Sequence, residues 1–133
     1  MTTQIYTIGY AQSHPSRIEA FLDQFGAVLV DIRLNPYGKP GWKGWELQRT
    51  FGDRYLQIRK LGNAEYKTGG MRIVDYEAGR QVLAALDRPA LLLCACHAPE
   101  GCHRTVVGDL LRRDGFTVIE LNGTTANQTS LWE

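Results

Sequence analysis

Residues 27–32 read Ala27-Val28-Leu29-Val30-Asp31-Ile32, a compact apolar run with the charges of Asp31 and Arg33 arriving at its carboxyl end. A run this short and this rich in branched aliphatics predicts a strand buried on both faces, the pattern of a parallel sheet. Just before it, Gly26 closes a segment in which Ile18, Phe21, Leu22 and Phe25 recur at helical spacing. Ser13-His14-Pro15 offers that helix a cap and a proline for its first turn. Residues 4–9, with Ile5, Tyr6 and Ile8, predict an opening strand that ends in Gly9-Tyr10-Ala11. The chain therefore begins with a strand-helix-strand unit.

Outward in the other direction, residues 34–45 hold two prolines, three glycines and two tryptophans, which predicts a long irregular loop. Loops of that length are usually functional or mobile. Residues 46–51 predict a short helix and residues 55–58 a short strand, followed by a second irregular stretch around Gly62, Gly69 and Gly70. Asp75 is placed to cap a helix carrying Tyr76, Val82, Leu83 and Leu86, ending before Pro89. Ala90 to Cys94 predicts a buried strand. Val106, Val107, Leu110 and Leu111 predict a helix stopped by Gly115, and residues 116–121 a last strand. Strands alternating with helices predict an α/β fold: a single domain over residues 1–123, with a mostly parallel sheet of about five strands and helices on both faces, a Rossmann-like three-layer arrangement. Residues 124–133 form a polar C-terminal tail.

A chain of 133 residues with 44% hydrophobic content suits one continuous core. No stretch approaches the roughly 20 apolar residues that span a bilayer, and the N-terminus has neither a basic leader nor an apolar signal core. Three cysteines crowded into nine positions are not the framework of a secreted disulfide protein. A cytoplasmic protein is the expectation. The net charge of +1 is unevenly spread: from Arg33 to Arg72 nine Lys or Arg face three carboxylates, so that segment carries +6 and the remainder −5. A local basic zone suits an anionic small molecule, a nucleotide or a nucleic-acid backbone, or is simply a solvated face.

The stretch Cys94-Ala95-Cys96-His97-Ala98-Pro99-Glu100-Gly101-Cys102-His103-Arg104 holds all three cysteines and two of the three histidines. Cys94 ends a predicted strand, and Cys102 and His103 fall where a helix begins, so unpaired backbone N–H groups favour thiolate there. Arg104, in the first helical turn, is placed to complete an anion pocket. The phosphatase loop Cys-x5-Arg is not matched, since Cys94 precedes Arg104 by ten positions and Cys96 by eight. Zinc is the competing reading, with Cys94, Cys96, Cys102 and His103 as its ligands, although the spacing lacks the paired Cys-x2-Cys of structural sites. Asp31 and Arg33 lie on one side of an extended chain, either as an ion pair or holding a substrate. Trp42, with Lys43 beside it, either stacks on a base or folds onto the core. Tyr10 lies on the same rim as Asp31, Arg33 and Cys94. No Gly-x4-Gly-Lys loop, Gly-x-Gly-x-x-Gly fingerprint or Gly-x-Ser-x-Gly elbow is present.

With Tyr6-Thr7-Ile8-Gly9-Tyr10, Asp31-Ile32-Arg33 with Pro36, Leu61-Gly62 after Tyr55, and Leu91-Leu92-Leu93-Cys94 leading to Cys102-His103-Arg104, the chain resembles the prokaryotic family catalogued as domain of unknown function 488 (DUF488). The resemblance spans nearly the whole domain. It implies that Cys94 and the Cys102-His103-Arg104 triplet carry the family's suspected activity, with Cys96 and His97 peculiar to this sequence and Tyr10 standing where the family commonly has His.

The sequence thus points to a cysteine-dependent enzyme, a transferase or hydrolase, acting on an anionic substrate that is nucleotide-like or a base in nucleic acid. In that reading Cys94 is the nucleophile, Cys102 a second thiol, His103 a proton carrier, and Arg104 with Arg33 the anion clamp. The alternatives are a non-catalytic nucleotide or nucleic-acid binding module and a zinc-stabilised or thiol-redox domain. No cofactor is required unless zinc is bound.

Overall fold

The computed structural model describes residues 4–10, 13–95 and 102–121. The elements follow the predicted alternation: β1 (Gln4–Gly9), α1 (Pro15–Phe25), β2 (Val28–Asp31), α2 (Gly44–Phe51), β3 (Tyr55–Gln57), α3 (Tyr76–Ala84), β4 (Ala90–Cys94), α4 (His103–Arg113) and β5 (Thr117–Glu120), with short 3-10 turns at Gly52–Arg54 and Arg59–Leu61. Local chemistry sets several boundaries. His14 caps α1 through its ring, which accepts from the Ser16 N–H, and Pro15 opens the helix with φ already fixed. Gly26 ends it in the left-handed region at φ 61°, a conformation that a side chain disfavours. Asp75 caps α3 by accepting from the Ala78 N–H.

The strands form one fully parallel sheet in the order β3-β2-β4-β1-β5. Steps toward the β3 edge (β1 to β2, β2 to β3) use α1 and α2. Steps toward the β5 edge (β3 to β4, β4 to β5) use α3 and α4. Crossovers of one hand therefore put α1 and α2 on one face and α3 and α4 on the other. The buried side chains divide accordingly. Ile18, Phe21, Leu22, Leu47 and Phe51 pack with Tyr6, Ile8, Leu29, Leu91 and Leu93. Leu83, Val107 and Leu111 pack with Ile5, Val28, Val30, Leu92 and Cys94. Central strands covered on both sides leave no polar face, which is why β2 and β4 read as continuous apolar runs. Among the described residues no helix is long and apolar enough to cross a membrane.

Candidate functional site

The chain leaves β1 and β4 in opposite directions along the sheet, so a crevice opens beyond their neighbouring carboxyl ends. Cys94 stands there, paired in register with Gly9. Cys102 caps the N-terminus of α4, and its Sγ lies 3.0 Å from Cys94 Sγ. Cys94 is reduced and fully buried, whereas Cys102 is disulfide-bonded.

Arg104, in the first turn of α4, is also fully buried, with Nη1 3.1 Å from Cys94 Sγ and 3.4 Å from Cys102 Sγ. Its other edge meets Glu120 at the end of β5: Nε lies 3.1 Å from both carboxylate oxygens and Nη2 3.0 Å from Oε2. Thr7 of β1 donates its hydroxyl to the same carboxylate. The guanidinium thus spans β1, with the cysteine strand on one side and a carboxylate on the other. A buried cation needs that counter-charge.

His103 faces the carboxyl end of β2, where its Nε2 lies 3.1 Å from the Ile32 carbonyl oxygen. A carbonyl accepts only, so Nε2 carries the proton and Nδ1 of the neutral ring is the acceptor. Burial pushes the imidazole below its ordinary value, and the charge of Arg104 pushes the same way; the carbonyl bond and Asp31 pull against them.

Asp31 and Arg33 form an ion pair. Arg33 Nε donates to Oδ1 at 2.8 Å and Nη2 to Oδ2 at 2.6 Å, while Tyr55 donates its hydroxyl to Oδ2 at 2.6 Å. Burial raises the Tyr55 phenol far above its usual range, and its bond to Asp31 adds to the shift. Arg33 also donates to the Trp42 carbonyl at 2.6 Å, which pins the loop of residues 34–43 to the sheet end. Trp42 itself is 7% exposed and stacks on Tyr10, with ring centroids 5.3 Å apart. Arg33 lies 5.5 Å from the Tyr10 ring centre. Both guanidiniums read from the sequence as an anion clamp are therefore engaged inside the protein, because each needs its own carboxylate when buried. The loop folds its first tryptophan onto the core. Lys43 opens α2 on the face opposite Cys94, its N–H bonded to the Glu46 side chain at 3.1 Å.

Beside His103 lies a cavity of about 420 Å3 bounded by Arg33, Asn35, Tyr66, Met71, Ala95 and His103. That volume suits a small organic ligand. With Cys102 reduced, Cys94, Cys102 and His103 would also offer three donor atoms, which lie within 4.8 Å of one another. Cys96, the fourth zinc ligand suggested by the sequence, and the polar tail lie outside the described residues. Sequence reasoning missed Glu120, Thr7, Tyr55 and the wall formed by residues 63–71. Glu120 has a faint signal, a lone carboxylate near the end of an apolar strand. Thr7, Tyr55 and the wall have none, because their partners are distant in the chain.

The fold and the rim define a three-layer α/β protein with a cysteine-arginine-histidine cluster at the carboxyl end of its sheet. The chain matches no family model, no curated protein and no solved structure.

Proposed function

We propose that the chain is a thiolate-dependent enzyme of the transferase or hydrolase kind, acting on an anionic, nucleotide-like substrate. The observation that carries this reading is the guanidinium of Arg104 lying 3.1 Å from Cys94 Sγ, with the adjacent His103 on the wall of a ligand-sized cavity. A cation at that distance in a buried site favours thiolate, the nucleophilic form. Cys94 forms the bond to the electrophilic atom, the leaving group departs, and water or an acceptor resolves the intermediate. His103 takes the proton released in that second step at Nδ1, since its Nε2–H is engaged with Ile32. In a reducing cytoplasm Cys102 is the second thiol. The resemblance to domain of unknown function 488 singles out the same residues.

The zinc reading has the three clustered donors in its favour. Against it, two thiolates on tetrahedral zinc stand about 3.8 Å apart at the usual bond length, wider than the 3.0 Å found here. The positive charge of Arg104 at both sulfurs also opposes a second cation. Stoichiometric zinc in freshly purified, reduced protein would decide for this reading.

The test is a pH titration of thiolate ultraviolet absorbance in the reduced chain, with the Cys94→Ser variant subtracted to isolate one sulfur. We expect Cys94 to ionise below the ordinary thiol value of about 8.5. Glu120→Gln, which loosens the guanidinium, should move that ionisation back up. A Cys94 that titrates as an ordinary or a raised thiol leaves the rim as a binding site without sulfur catalysis.

A further inference from the structure

The cavity beside His103 does not end at Tyr66. Leu34, Asn35 and Tyr66 also line a more open groove of about 610 Å3, which Arg59 and Lys67 line as well. The two volumes adjoin at these residues, giving a channel that runs from Ala95 and His103 to a basic margin.

Its dividing wall is a shaped loop. Asn63 is buried, accepting at Oδ1 from the Glu65 N–H at 2.9 Å and the Arg72 N–H at 3.0 Å, and donating from Nδ2 to the Gly70 carbonyl at 2.8 Å. One side chain therefore closes residues 63–72 into a fixed turn. On that turn Tyr66 is 45% exposed, its hydroxyl accepting from Asn35 Nδ2 at 3.3 Å and its ring centre 5.9 Å from Lys67 Nζ. A fixed aromatic in water loses little freedom when something stacks on it. Glu65 lines the groove as well, but Arg72 neutralises it at 3.3 Å, so Arg59 and Lys67 set the sign of the field.

Building on the thiolate reading of Cys94, we infer that this channel holds a nucleotide. The base or sugar sits in the cavity against His103 and Met71, Tyr66 and the Asn35 amide meet a planar ring face and edge, and the phosphate lies over Arg59 and Lys67. An apolar wall, a stacking platform, an amide edge and two cations in sequence match a heteroaromatic ring bearing an anion one sugar away. A free nucleotide and a nucleotide within a single strand share this chemistry, since the groove is open on its outer side.

The experiment is titration of the full chain with thymidine monophosphate and, separately, with a short mixed-sequence single-stranded DNA. Saturable binding in either arm, weakened about tenfold or more by Tyr66→Ala and by Arg59→Glu with Lys67→Glu, supports the channel. Tighter binding of the strand assigns the site to nucleic acid, and equal or tighter binding of the mononucleotide assigns it to free nucleotides. All three side chains are exposed, so the variants keep the fold. Absence of saturation in both arms, or variants that bind like the parent, overturns the inference. The two readings fail separately: binding that persists in Cys94→Ser beside an ordinary Cys94 titration removes the enzyme and leaves the channel, whereas an activated Cys94 without nucleotide binding removes the channel alone.

Discussion

Asp31 and Arg33 show how much one buried pair can hold. The carboxylate takes two bonds from the guanidinium and one from Tyr55, and the guanidinium reaches on to the Trp42 carbonyl, so strand end, loop and β3 meet at a single charge. Asp31 is fully buried and Arg33 nearly so, and removal of one partner leaves the other charge without compensation. We expect Asp31→Asn to cost about 3–5 kcal/mol of unfolding free energy, read from the urea midpoint. A loss of about 1 kcal/mol or less, the size of a surface ion pair, would show that the pair does not hold the rim. This pair was legible in the sequence because two residues on an extended chain share a side. The link from Arg104 to Glu120 was not, since it joins the ends of two elements across a third strand.

At the scale of elements, α3 lies against the 3-10 turn at Arg59–Leu61, and the contact is closest at Gly79. A Cβ built there would fall 2.5 Å from Leu61 Cγ, inside a fully buried side chain. Gly79→Ala gains about 1 kcal/mol of helix propensity, yet overpacking of a core costs about 1–3 kcal/mol. We expect a net loss, seen as a lowered midpoint of thermal unfolding, and a raised midpoint would show that α3 can move away. A glycine inside a helical pattern reads in the sequence as a weakness of the helix. The turn beneath it, which makes the small residue necessary, is invisible until the chain is folded. Helix caps are the opposite case: His14, Pro15, Gly26 and Asp75 act within a few residues of themselves, so their roles were read directly.

Over the whole molecule, the buried imidazole of His103 couples the rim to acid stability. Its folded value is depressed, first by burial and then by Arg104, so the unfolded chain binds the proton more readily. Stability is then complete above the unfolded value of about 6.5 and is lost as pH falls below it toward the folded value. Denaturant titrations across that range should show the loss in the parent chain and a smaller one in His103→Gln; equal slopes would mean that the ring charges without cost. The alternation of strands and helices, their caps and the gathering of cysteine, histidine and arginine after β4 were determined by the sequence alone, because apolar period, turn chemistry and capping act over a few neighbouring residues. The strand order, with β1 between β4 and β5, was decided by tertiary structure, because parallel strands pair across long crossovers with no local signal of who neighbours whom. That order brings Cys94, Arg104 and Glu120 together, buries the first tryptophan of the loop, and sets Tyr66 between a cavity and a basic groove, since each of these contacts joins segments that only the packed sheet makes adjacent.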